Sequence, residues 1–150
     1  MREILFRGKT ENGEWYYGSL HQYTVETPLK AEKRYKIQEF NYGYSDDNEL
    51  WGEYMSGFDE EVIPETVGQF TGLIDKNGKK IFEGDIVGCF GNTQVFKIEY
   101  CKDRCGYFLD DIILSGGGEP TIECLGNLRG TIEIIGNIHD NPELLEGAQV

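Results

Sequence analysis

Apolar residues along this chain recur mostly every second position. Phe96, Ile98 and Tyr100 fall on one face of a strand, and Val95, Lys97 and Glu99 fall on the other. Later, the stretch 130–138 places Ile132 and Ile134 on one side and Glu133 opposite. Turn residues separate such runs at short intervals. Asn12-Gly13 lies between Ile4–Arg7 and Trp15–Leu20, and Asn77-Gly78 between Gly72–Ile74 and Lys80–Phe82. Gly91-Asn92 lies between Ile86–Phe90 and Gln94–Tyr100, and Cys105-Gly106 turns the chain into Tyr107–Leu109. Asn and Gly accept the positive φ that tight hairpins demand, so each pair predicts a hairpin.

No segment sustains a helical period. One helix start is predicted near the end of the chain: Asp140 or Asn141 as cap, Pro142 at the first position and Glu143 at the positive N-terminus. Leu144 and Leu145 would then dock a single turn onto the body or onto a neighbouring subunit. Gly116-Gly117-Gly118 predicts an exposed loop; it lacks the Lys-Ser/Thr of a phosphate loop. These signals, with 20 glycines, predict a mainly β fold: a small SH3-like or related β-barrel with added hairpins and a short C-terminal helical turn. The length of 150 residues suits one domain, with an N-terminal β region over residues 1–66, a barrel core over 67–140 and a C-terminal turn over 140–150.

The wording Gln69-Phe70-Thr71-Gly72-Leu73, then Asp75-Lys76-Asn77-Gly78 and Glu83-Gly84-Asp85-Ile86-Val87, resembles the YopX family of phage and prophage proteins. The opening Arg2–Gly8 and the close Ile134–Leu145 are similar to that family's ends, whereas residues 21–62 and 88–130 add nothing to the match. The resemblance implies a phage- or prophage-encoded accessory protein. It implies no catalytic residue, because the family has no established biochemical activity.

The formal charge is −13 with an isoelectric point near 4.5, which argues against nonspecific binding to phosphates. From Phe40 to Glu65 there is no Lys or Arg, while Asp46, Asp47, Glu49, Glu53, Asp59, Glu60, Glu61 and Glu65 are acidic. This segment reads as a solvated loop, or as an acidic surface offered to a basic partner. Its interleaved Tyr42, Tyr44, Trp51, Tyr54 and Phe58 argue against simple disorder. No apolar run approaches the roughly 20 residues of a membrane span, and no signal peptide is read. The expected location is the cytoplasm of the host cell, with neither membrane nor nucleic acid as partner.

Chemistry is hard to find. Cys89, Cys101, Cys105 and Cys124 lack the spacing of a zinc knuckle and read mostly as small buried hydrophobes. His21 and His139 have no nucleophile motif beside them. Glu83-Gly84-Asp85 could hold a divalent cation, but Gly-Asp before an apolar run more simply opens a strand, with Gly84 in an unusual conformation and Asp85 accepting backbone N–H groups. Gly72 suggests a bulge within its strand.

Trp15, Tyr16, Tyr17, Phe70 and Phe82 lie on strands whose two faces a small monomer cannot both bury, which predicts a homo-oligomer. The candidate interaction surface is Trp15, Tyr17, Trp51, Tyr54, Asp59, Glu60, Glu61, Phe70, Leu144 and Leu145. The leading expectation is therefore a non-enzymatic, self-assembling protein-interaction module that needs no cofactor, with a phage or host protein as further partner. One alternative is an acidic, DNA-mimicking inhibitor of a basic host protein. Another is a metal-dependent enzyme using Asp75, Glu83, Asp85 and His139.

Overall fold

A computed structural model describes residues 1–39, 58–89, 94–111, 123–124 and 131–146. Eleven strands and one helical turn of four residues are present among them. They are β1 (Phe6–Lys9), β2 (Trp15–Glu26), β3 (Ala31–Glu39), β4 (Phe58–Val62), β5 (Gly68–Ile74), β6 (Lys80–Phe82), β7 (Asp85–Cys89), β8 (Gln94–Cys101), β9 (Gly106–Asp111), β10 (Glu123–Cys124) and β11 (Ile132–Asn137), followed by α1 (Glu143–Glu146). A 3-10 turn covers Pro64–Thr66. The protein is mainly β, and every strand pairing is antiparallel.

The chain divides into two compact units. One is Ile4–Gln69; the other is Phe70–Val150 together with Met1–Glu3.

In the unit Ile4–Gln69 the strands lie in the order β4-β3-β2-β1, and Phe6 and Arg7 of β1 pair with the opening residues of β5. The Asn12-Gly13 turn forms as predicted, with Gly13 at φ +86° and its N–H donating to the Thr10 carbonyl at 2.9 Å. The strands curl. Beyond β4 the Ile63 N–H donates to the Lys9 carbonyl at 2.8 Å, so the chain leaving one end of the row reaches the strand at the other end. Thr66 fastens this return: its hydroxyl accepts from the Lys9 N–H at 2.9 Å and donates to the Ile63 carbonyl at 2.6 Å. Ile37 and Val62 are buried within this unit. Thr66→Val keeps the shape but strands the Lys9 N–H, and should cost about 1–2 kcal/mol in chemical denaturation.

In the other unit, β5 and β6 make a hairpin and the remaining strands form a sheet in the order β10-β9-β8-β7-β11. The core is Ile81, Val87, Cys89, Phe96, Ile98, Leu109 and Ile132. Alternation along β8 accounts for Phe96 and Ile98, although Tyr100 on the same face is exposed. The strands do not close into a barrel: β10 pairs with β9 and β11 with β7, so the ends of this sheet are different strands at opposite edges. A register shift between Ile134 and Gly136 bends β11.

Gly84 has φ +87°, and the buried Asp85 carboxylate accepts the Phe82 N–H at 2.8 Å. This is the strand-opening turn predicted for Glu83-Gly84-Asp85. The bulge expected at Gly72 is present as a register shift between Phe70 and Ile74. At the C-terminal end, Asn141 does not cap the helix with its side chain as expected. Its Oδ1 instead accepts the Asn137 N–H at 3.3 Å, tying α1 to the strand before it. The triglycine loop and the Gly91-Asn92 turn lie outside the described residues.

Candidate binding groove

An open groove of about 550 Å³ lies in the unit Ile4–Gln69. Three stretches line it: the β1–β2 turn (Thr10, Glu11, Asn12), the start of β3 (Glu32, Lys33, Arg34) and the path from β4 into the 3-10 turn (Glu60 to Pro64). Local chemistry explains the opening. β4 pairs with β3 only from Tyr35 to Glu39. At Ile63 the chain turns its N–H to Lys9, and Pro64 has no N–H with which to continue the ladder. The first four residues of β3 therefore have β2 on one side and the groove on the other.

Strand register puts the charges in order. Tyr23, Arg34 and Glu61 belong to one face of β2, β3 and β4, and Glu60 and Val62 to the opposite face. On the first face the Arg34 guanidinium lies 3.4 Å from Glu61 and 3.6 Å from Glu32. The Glu61 carboxylate raises the Arg34 pKa most; desolvation opposes it, and Glu32 adds a smaller rise. Tyr23 donates its hydroxyl to Glu61 at 2.9 Å, and the Lys36 ammonium lies 4.9 Å from the centre of the Tyr23 ring. Desolvation first, and then the hydrogen bond to Glu61, raise the Tyr23 pKa. Exposed pairs of this kind add little to stability; they hold Arg34 and Glu61 in fixed positions. Four carboxylates (Glu11, Glu32, Glu60, Glu61) and two cations (Lys33, Arg34) line the groove, so it keeps an acidic excess.

The described members of the predicted interaction set fall in both units and differ in exposure. Asp59, Glu60 and Glu61 lie on β4, and the last two line the groove. This part of the acidic segment is a strand and not the loop that its composition suggests. Trp15 lies on β2 with the Arg7 guanidinium 4.9 Å from its ring centre, and Tyr17 is exposed nearby. Phe70 is buried against Phe82, with ring centres 5.7 Å apart, which takes it out of any surface. Leu144 is half-buried and Leu145 exposed. Trp51 and Tyr54 lie outside the described residues.

The carboxylates proposed for metal chemistry are occupied otherwise. Asp75 is 3% exposed, and its oxygens accept the N–H groups of Asn77 (2.8 Å), Lys79 (2.9 Å) and Ile134 (3.1 Å). Among the described residues no three His, Cys, Asp or Glu side chains are grouped so as to hold a metal ion. Of the described thiols Cys89 is buried as expected, but Cys101 is half-buried and Cys105 exposed.

The described residues form a two-sheet, antiparallel β architecture with an open, charged groove. The chain belongs to the YopX family: the model of YopX protein matches residues 5–146. No curated protein matches it. Among solved structures, that of protein EF1440 from Enterococcus faecalis is similar, with 24% identity over 97% of this chain and 99% of that one and a TM-score of 0.49. No helix among the described residues is long and apolar enough to cross a membrane.

Proposed function

We propose that this protein is a non-enzymatic accessory factor, of the phage or prophage kind, that binds a basic segment of another polypeptide in the groove beside β4. The acidic excess of the groove carries this reading. Four carboxylates, of Glu11, Glu32, Glu60 and Glu61, line it against two cations, Lys33 and Arg34, and Arg34 already lies beside Glu32 and Glu61. The overall charge of −13 adds long-range attraction for such a partner. A different protein suits the groove better than self-assembly, because two of the aromatics that suggested an oligomer, Phe70 and Phe82, bury each other.

A fluorescent octalysine peptide provides the test. It should bind with an affinity that falls as salt rises. The double variant Glu11→Gln, Glu60→Gln should weaken it at least tenfold, about 1.4 kcal/mol, with an unchanged melting temperature. Equal binding by wild type and variant would move the site elsewhere on the protein.

A further inference from the structure

The groove is bounded by a strand edge, and that edge suggests how a partner is held. β3 continues for four residues, Ala31–Arg34, past the last residue that β4 pairs. In an antiparallel ladder each residue directs its N–H and C=O to one side, alternating along the strand. Two of these four residues therefore turn their backbone groups toward the groove. The space is bounded on its far side by Thr10, Glu11 and Asn12. We propose that the edge Ala31–Arg34 is a strand-addition site, where an extended segment of the partner continues the line of β4 antiparallel to β3.

This deepens the binding role proposed above and rests on it, adding the conformation and charge order of the ligand. The side chains at the edge fix that order. Glu32 and Arg34 share one face with Glu61, and Lys33 lies on the other. Ile63, the residue after Val62, already stands opposite Arg34, so a partner running in the direction of β4 begins beyond it and reaches Glu32. It needs a Lys or Arg opposite Glu32, since opposite charges directly across a ladder stabilise it and like charges do not. Charged residues on an exposed edge usually guard against unwanted pairing. Here the same charges would admit one pattern and reject others, which is how specificity is built. Main-chain hydrogen bonds then supply affinity and alternate side chains supply selection.

The test uses the full chain and the capped peptide Thr-Glu-Val-Lys-Val-Thr, whose Lys would face Glu32. Three controls accompany it: the same peptide with Glu and Lys exchanged, and two versions N-methylated either at Glu and Lys or at the two Val residues. Saturable binding is expected, at least tenfold weaker for the exchanged peptide. One methylated version should fail while the other binds, because only alternate N–H groups face β3. Glu32→Lys should reverse the preference toward the exchanged peptide, which sets Glu opposite position 32. Equal affinity for all four peptides, or no binding of the parent peptide while octalysine still binds, would overturn strand addition and leave the acidic groove intact. Failure of octalysine as well would remove both. A dimer mass in light scattering that the peptide does not change would assign the edge to a second copy of the chain and overturn the proposal.

Discussion

Replacing Gly18 by alanine is expected to remove about 3–5 kcal/mol of stability, enough to unfold much of the unit Ile4–Gln69 under mild denaturation. A β-carbon at Gly18 would overlap the carbonyl oxygen of Gln38, with the carbonyl carbon at 2.7 Å and the Glu39 nitrogen at 3.1 Å. These are backbone atoms of the adjacent strand and cannot rotate away. Moving them would shift β3 where Gln38 and Ile37 are buried, and with it the pairing that positions β4. Gly13 is the matched control. It sits in the β1–β2 turn at φ +86° with only the end of the Lys9 side chain near, at 3.8 Å, so alanine there should cost only about 1 kcal/mol, from backbone strain. Trp15 lies on β2 in the unit Ile4–Gln69, so its fluorescence during urea unfolding reports on that unit. A Gly18→Ala protein that unfolds with wild type would mean that β2 and β3 do not approach as described.

Asp75→Ala should cost a similar amount, about 3–5 kcal/mol, in the other unit. The carboxylate is the shared acceptor for the N–H groups of Asn77 and Lys79 in the β5–β6 turn and of Ile134 in β11. Hydrogen bonds to a charged group contribute about 1.5–3 kcal/mol each, less when they share one acceptor group, and the orphaned donors add a desolvation penalty. The effect has a pH signature. Burial by itself would raise the Asp75 pKa, but the three N–H donors outweigh it and hold the value below the ordinary 3.8. The folded state thus takes up the proton less readily than the unfolded chain. The stabilisation is complete above the unfolded value and is lost as pH falls through the folded one. Measured between pH 2 and 7, wild-type stability should drop at the acid end, and Asp75→Asn should be less stable at pH 7 with a shallower drop. Parallel curves for the two proteins would contradict this role.

The hairpins were legible because their turns need particular residues. Gly13, Gly78 and Gly84 all adopt positive φ, and each lies where Asn-Gly or Gly-Asp marks a turn. Asp85 and Gly72 were readable for the same local reason. The groove was not. Its residues lie on strands of mixed polarity: Glu32, Lys33 and Arg34 in β3, and Asp59, Glu60 and Glu61 in β4, with no apolar alternation to reveal a strand. Pro28, in the turn between β2 and β3, was the available signal; the Thr27 N–H there donates to the Lys30 carbonyl. The expected barrel failed for a related reason: closure depends on which edges meet, and periodicity says nothing of that. The distant ties of Asp75 to Ile134 and of Thr66 to Lys9 were hidden likewise.

Backbone amide mapping of the isotope-labelled protein, titrated with the Thr-Glu-Val-Lys-Val-Thr peptide, tests the central claim most directly. The account predicts saturable shifts at Thr10–Asn12, Ala31–Arg34 and Glu60–Ile63, with little change in the core around Ile98 and Leu109. Shifts confined to other surfaces, or none at millimolar peptide, would contradict it.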